Sequence, residues 1–433
     1  MVKKVYKSTY GKGRKYPANI PFPHTHEPAC QLKWSHSTIF LPRNETSSCH
    51  RVDKDSIPDN FNFHNTRAKV TARQQMLDGV WPDKGCQHCR VIEQAGGTSD
   101  RQIHLHTSGL GPPPEFDRDI NSLHVTPRWV EVYFSNLCNL SCIYCGEYFS
   151  STWATENKKY GNPHGHDSTE MRKFYNTDVL SGKFFNWFKD NGKHLYNLMI
   201  LGGEPFTQPQ SDTLIDFLYE NPKPQLTVTF FSNLTVDHER MKARFGRLQD
   251  LKDKSFILDT HIVGSLDCWG PEAEYVRFGL NLDLFEQNLE YLLYETNSHL
   301  SINSAWCHLA TKTYPQLVNK INKWNHVRRV YHSLMQAAGE PYMHPGIFGP
   351  WILEQGFSKA IRQLNTHEDI ILEKTLEYFY GIEKSIAASE VDSEKIELQR
   401  KLYKFLNLID ERRNTDFTKM WPEINEKLLE SVK

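Results

Sequence analysis

The sequence predicts an α/β fold built on a parallel sheet, and three observations carry that expectation. From about Val130 onward, short apolar runs alternate with longer amphipathic stretches. The residues with obvious chemistry fall just after those runs, where strands of a parallel sheet end and where such sheets carry function. The chain of 433 residues is also long enough to bury a large core without help from disulfides.

Six runs read as strands: Val130–Ser135, Leu198–Leu201, Gln225–Phe231, Phe256–Leu266, Leu300–Trp306 and Val327–Leu334. The stretches between them carry helical spacing. In Asp178–Asn191, Leu180, Phe184, Phe185, Trp187 and Phe188 supply i, i+4 pairs, and Leu282–Glu295 and Tyr314–Trp324 behave alike. Six βα units imply a curved sheet or partial (β/α)6 barrel open on one side, with right-handed crossovers placing the helices outside. Residues 1–107 are rich in Cys, His and Pro and show little periodicity. Residues 108–129 read as a linker, because Ser108–Pro114 breaks the chain with Gly and Pro. The barrel would occupy 130–335, and a helical extension 336–433. That tail is charged and helical in pattern from about Gly356, for instance in Leu372–Phe379 and Leu398–Ile409, as expected of a helical cap with a solvated face.

The formal net charge is −1 and the pI about 7.0, so no global pull toward nucleic acid or an anionic membrane follows. No uncharged apolar run reaches the roughly 18 residues of a membrane span. The start, Met1–Ser8, is basic but lacks the apolar core of a signal peptide, so the expected compartment is the cytoplasm. Thiols stay reduced there. Seven of the nine cysteines fall into two groups, which suggests metal ligation.

The first group is Cys138, Cys142 and Cys145, directly after the first predicted strand. A loop this short can place three thiolates on three corners of a [4Fe–4S] cube. One iron then stays open for a reacting ligand, by the logic of an open catalytic metal site. The bland alternatives are a zinc site, which wants a fourth ligand that the loop lacks, or simply buried thiols.

This spacing, with three and then two residues between the cysteines, resembles the radical S-adenosylmethionine (SAM) superfamily, and the likeness runs from about Val130 to Leu334. The resemblance implies that SAM chelates the open iron through its amino and carboxylate groups. It also implies reductive cleavage of SAM to a 5′-deoxyadenosyl radical that takes hydrogen from a substrate. Later strand ends match in the family's order. Gly202, Gly203 and Glu204 would meet the SAM amino group, with Glu204 as acceptor. Ser232 and Asn233 would bond the ribose or carboxylate, although the family's following glycine is absent. Ser265 would face the ribose or carboxylate, and Arg277 would pair with the carboxylate. Asp267 would touch substrate or fix Arg277, and Tyr144 stands where the family has an aromatic residue near the adenine. The chain shows no flavin or nicotinamide fingerprint, so a flavodoxin or ferredoxin is the implied electron donor.

Cys30, Cys49, Cys86 and Cys89 form the second group. Four thiolates would close a cluster and suit structure or electron transfer. Their spacing resembles the auxiliary modules called SPASM and twitch, here ahead of the barrel, as in twitch-type members that include phage-encoded proteins. A structural zinc site with four cysteines is the alternative, and unligated core cysteines are another. His24, His26, His36, His88, His104 and His106 crowd the region, and one of them could replace a cysteine ligand. Cys268, Cys307, Asn303 and Trp306 lie at or beyond strand ends, facing the cavity or packed inertly. Taken together, the resemblance implies hydrogen abstraction from a peptide or protein. The alternatives are a small polar metabolite such as an aminosugar, cyclitol or nucleoside, and a non-catalytic iron–sulfur carrier or scaffold.

Overall fold

The computed structural model describes residues 28–82, 85–94, 99, 101, 122–164, 177–336, 339–365 and 373–432. His24, His26, His104, His106 and the breaker Ser108–Pro114 lie outside the described residues. The fold is α/β, built on one sheet of nine strands in the order β3-β2-β1-β4-β5-β6-β7-β8-β9. The strands are β1 (His36–Phe40), β2 (Glu45–Ser47), β3 (Asp55–Ser56), β4 (Trp129–Tyr133), β5 (Asn197–Leu201), β6 (Lys223–Ser232), β7 (Ile257–Ser265), β8 (His299–Trp306) and β9 (Val330–Gln336). The last six correspond to the six predicted strands and pair in parallel throughout.

The helices between them form where the apolar spacing requires. Thr177–Asn191 buries Leu180, Phe184 and Phe188, and Leu282–Glu295 buries Phe285, Leu289, Leu292 and Leu293. Tyr314–Asn325 buries Leu317, Val318 and Ile321. These faces cover the strand residues Val130, Val132, Leu198, Ile200, Val228, Phe230, Leu300 and Ile302 in one apolar core. Side chains alternate across a strand, so the opposite face carries polar groups. There Thr229 bonds Asn197 at 3.2 Å, His261 bonds Ser301 at 2.7 Å, and Ser333 bonds Asn303 at 2.9 Å. The tail helices Ser393–Arg413 and Pro422–Val432 bury Leu402, Phe405, Ile409 and Leu428 in the same core as the strands.

The sheet departs from a (β/α)6 count at its first strand. The cysteine-rich segment supplies β1, which pairs in parallel with β4 from His36↔Trp129 to Phe40↔Tyr133. β2 and β3 then continue the sheet antiparallel. The segment shows no strand periodicity because these strands are very short and β1 is buried along its whole length. Buried polar bonds hold it together with core residues such as Ile39, Leu41 and Phe63. Lys69 Nζ lies 2.9 Å from Ser37 Oγ, 2.7 Å from Thr46 Oγ1, 3.1 Å from the Ser47 carbonyl and 2.8 Å from the Phe63 carbonyl. The fully buried Arg73 donates to the carbonyls of Lys33, Leu123 and His64. Glu131 of β4 accepts from Thr38 at 2.9 Å and faces His36 at 3.5 Å. Burial alone would raise that carboxyl, but His36 and His50 hold it well below the usual range.

Among the described residues, no helix is long and apolar enough to cross a membrane.

Lys69→Met removes the donor that four buried oxygens share. It should destabilise the protein by about 1–3 kcal/mol or more, the cost of leaving buried neutral acceptors without their donor. Denaturant unfolding checks this, and a loss near zero would mean that the segment is held by something else.

Candidate functional site

The twelve residues Ser135–Gly146 leave the carboxyl end of β4 without regular secondary structure. A loop of this kind must bond its peptide groups to whatever surrounds it. Here the partners are segments that follow the next three strands. Glu204 N, after β5, donates to the Leu137 carbonyl at 2.8 Å. Asn233, after β6, donates to Asn139 Oδ1 at 2.9 Å, and Asn139 donates to the Thr235 carbonyl at 2.6 Å. Beyond β7, the Phe278 and Val276 carbonyls accept from Ser141 N and Ile143 N, each at 2.9 Å. The helix Ser151–Tyr160 closes the far side, where Trp153 Nε1 donates to the Cys142 carbonyl at 2.8 Å and Thr152 to the Cys138 carbonyl at 2.6 Å.

Two glycines make the β5 contact possible. Gly202 and Gly203 both have positive φ, at 81° and 49°. A Cβ on Gly203 would sit 2.1 Å from the Leu137 carbonyl oxygen, so no larger residue fits there. Glu204 is fully buried, and its carboxylate is largely occupied by the protein. It accepts from Phe206 N at 3.0 Å, Ser232 Oγ at 2.8 Å and Asn233 N at 2.6 Å. Three of about four acceptor positions are therefore filled from within, which the sequence reading of Glu204 as an ammonium acceptor did not anticipate. Burial pushes this carboxyl up to about 7 despite those three bonds.

The β7 end holds a second buried carboxylate. Asp267 accepts from Arg277 Nη2 at 2.8 Å, Tyr144 Oη at 2.6 Å and Ala305 N at 2.8 Å. Of the two roles weighed for Asp267, fixing Arg277 is the one with a bond behind it. The Arg277 guanidinium lies 5.7 Å from the Tyr144 ring centre, and its Nε is buried with no partner. Burial works against its charge, but Asp267, Tyr144 and Cys142 outweigh burial and keep Arg277 protonated. Ser265 ends β7, half-buried, in register with Asn303. Cys268 and Cys307 are fully buried, as is Trp306, which stacks on Phe357 with ring centres 3.6 Å apart. The packed reading of these cysteines is therefore the better one.

The triad thiols share one electrostatic neighbourhood. Burial pushes Cys138 up, and Cys142 and Cys145 add to it. Burial followed by Cys142 pushes Cys145 up to about 12. Cys142 is raised by burial, while Arg277 pulls the other way, Asp267 opposes it and Arg413 assists it. Among the described residues, no group of three or more His, Cys, Asp or Glu side chains is gathered closely enough to hold a metal ion. Cys138 Sγ accepts from Leu140 N at 3.4 Å, and Cys145 Sγ faces the Gly146 carbonyl at 3.7 Å. The donor chemistry nevertheless fits an iron–sulfur cluster. These are soft ligands on one short loop, whose thiolates are costly until a cation offsets burial and mutual repulsion. The partnerless Arg277 Nε is likewise a donor suited to a carboxylate.

Cys30, Cys49, Cys86 and Cys89 form a second neighbourhood around Trp34, Met76 and Trp129. Cys30 is pushed up to about 12 by burial and then by Cys49, with Lys33 opposing. Burial also raises Cys86, Lys33 lowers it, and Cys49 and Cys89 add to the rise. Of the nearby histidines, His36 bonds the Ser48 carbonyl at 2.9 Å and faces Glu131, and His88 is exposed. Trp153, Asn139 and Phe278 were missed by sequence reasoning. Only Asn139, inside the cysteine motif itself, carried a local signal.

No protein-family model and no curated protein matches the sequence. Among solved structures, the chain is similar to native anSMEcpe with bound AdoMet and Kp18Cys peptide, at 16% identity and a TM-score of 0.36, covering 56% of this chain and 63% of that one. It is also similar to TYW1 with a lysine-pyruvate adduct bound, at 14% identity and a TM-score of 0.28, covering 53% of this chain and 70% of that one. The chain thus spans less than two thirds of the first of these structures.

The Glu204 carboxyl moves from an ordinary 4.5 to about 7 on folding, so the folded state binds its proton more tightly. Its contribution is fully present below about pH 4.5 and is lost as pH rises through about 7, which amounts to about 2 kcal/mol between pH 5.5 and pH 8. Denaturant midpoints of wild type and Glu204→Gln at those two pH values should show this slope in wild type alone. Equal slopes would place the carboxylate in water.

Proposed function

We propose that this chain is a radical SAM enzyme, with a partial (β/α)6 barrel at 130–335 between a cysteine-rich module (1–107, then a linker at 108–129) and a helical extension (336–433). The observation that carries this reading is convergence. Gly202–Glu204, Ser232–Asn233 and Asp267–Arg277 are far apart in sequence, yet each region bonds the loop that holds Cys138, Cys142 and Cys145, directly or through its neighbours. A [4Fe–4S] cluster on those three cysteines, with SAM on its open iron, supplies reductive cleavage of SAM to a 5′-deoxyadenosyl radical.

The chain's own groups would do the positioning. The backbone at Gly202 and Gly203 lets the SAM amino end approach, and the remaining acceptor position of Glu204 meets its ammonium. Arg277, kept charged by Asp267, offers its Nε to the carboxylate. Tyr144, tethered to Asp267, would stand beside the adenine, and Ser232, Asn233 and Ser265 would serve the ribose or the carboxylate. The buried setting keeps water from the reacting groups. A reduced flavodoxin or ferredoxin in the cytoplasm would deliver the electron.

Hydrogen abstraction from a peptide or protein side chain is the favoured reaction. Its support is the second cysteine group, which resembles the auxiliary modules common among peptide-modifying members. A small polar metabolite is the second reading, favoured by the polar sheet face with its Asn197–Thr229, His261–Ser301 and Asn303–Ser333 pairs. We assign Cys30, Cys49, Cys86 and Cys89 to an auxiliary [4Fe–4S] cluster, with zinc as the alternative.

Anaerobically reconstituted protein reduced with SAM should release 5′-deoxyadenosine, and replacing Cys138, Cys142 and Cys145 together by Ala should abolish the release. Cleavage at the wild-type rate in that triple variant would sink the proposal. The same variant should retain about four irons per chain, the content of one [4Fe–4S] cluster. They should be lost when Cys86 and Cys89 are also replaced. One zinc and no iron would make the second centre structural.

A further inference from the structure

The helix Ser393–Arg413 ends on a side chain whose surroundings a helical cap does not require. The Arg413 side chain is 3% exposed and lies against two aromatic rings, 4.6 Å from the Trp153 ring centre and 4.7 Å from that of Phe278. Its Nη2 and Nε meet Glu156 at 3.0 and 3.3 Å, and its Nη1 is buried with no partner. A buried guanidinium with an unsatisfied N–H is costly, so such a group calls for an explanation beyond packing.

The two rings supply one. Trp153 donates from Nε1 to the Cys142 carbonyl, and Phe278 accepts at its carbonyl from Ser141 N. Both residues that Arg413 contacts thus bond backbone groups of neighbouring residues in the cysteine loop, Trp153 the Cys142 carbonyl and Phe278 the Ser141 N–H. Arg413 fastens them to each other through cation–π contact, and it fastens the helix Ser151–Tyr160 through Glu156. It also brings a fixed positive charge near Cys142 from the tail helix. Arginine suits this role because its planar head stacks and bonds at once.

We propose that Arg413 is a positioning residue for the Cys138–Cys145 loop: packed against Trp153 and Phe278, it sets the Cys142 peptide for ligation and stabilises negative charge on the bound cluster. The inference rests on the iron–sulfur reading of the triad. It goes beyond that reading by making the helical extension part of the metal site.

The test uses the full chain, reconstituted anaerobically with iron and sulfide. Arg413→Met removes the charge and keeps the stem. Arg413→Met with Glu156→Gln also removes the carboxylate that would be left without its partner. Arg413→Lys keeps the charge and loses the stacking fork. Readouts are iron per chain under increasing chelator, the midpoint potential of the triad cluster followed by EPR in a background lacking Cys86 and Cys89, and the melting temperature before reconstitution. Both Met variants should release iron at about 10–100-fold lower chelator, as expected when a group that orients a metal ligand is lost. Their potential should shift negative, and Arg413→Lys should recover the potential more fully than the retention. If the double variant melts like wild type, holds iron equally and keeps its potential, the inference is overturned while the triad stands. If wild type itself takes up no iron in that background, the triad reading fails first and this inference fails with it. A double variant that folds but cannot be loaded supports the proposal.

Discussion

The site depends on one constraint: the loop from Ser135 to Gly146 has no helix or strand of its own, so most of its peptide bonding has to come from outside. Those bonds come from segments after β5, β6 and β7 and from the helix Ser151–Tyr160. A loop bonded by several strand ends cannot shift without breaking several contacts at once. This explains why small residues stand where they do. Gly203 is needed because the Leu137 carbonyl occupies the space of its Cβ, and the same carbonyl is the acceptor for Glu204 N.

Buried carboxylates act as the nodes of this arrangement. Glu204 gathers donors from its own turn and from the end of β6, Asp267 gathers Arg277, Tyr144 and Ala305, and Glu131 joins β4 to Thr38 of β1. Their electrostatic situations differ. Glu131 and Asp267 face cationic or ionisable nitrogen partners, so their negative charge is compensated. Glu204 has only neutral donors in bonding contact, and its proton is held correspondingly tightly. A ligand bringing positive charge to the β5 end would favour ionisation of this carboxyl group.

The six parallel strands and their helices were legible because period-two and period-3.6 patterns are properties of neighbouring residues. Leu282–Glu295 was read with its observed bounds, and β7 and β8 within a residue or two. The cysteine spacing and the Gly202–Glu204 motif were legible for the same reason. What the sequence concealed is non-local. β1, with the residues His36-Ser-Thr-Ile-Phe40, has no alternation because it is buried throughout, and its acceptance into the sheet depends on Lys69 and Arg73 from a helix further on. The inward bonding of the Glu204 carboxylate depends on Ser232 and Asn233, and no local pattern announces that an acidic residue will be satisfied from within. The bond between Asp267 and Arg277 corresponds to one of the two roles that the family resemblance implied for Asp267.

The contact between Arg413 and Glu156 spans 257 residues of chain. During synthesis, therefore, the cysteine loop leaves the ribosome long before the side chain that closes over its Trp153 support. Domains mature from the N-terminal side as they are made, and contacts of large sequence separation form late. The loop and the strand ends that bond it would be assembled first, with Trp153 and Phe278 still uncovered on the side that the tail helix later seals. If the loop takes up a cluster as proposed, that interval is a window in which Trp153 and Phe278 already bond the loop but the enclosure is incomplete. Arrival of the tail helix would mark its close.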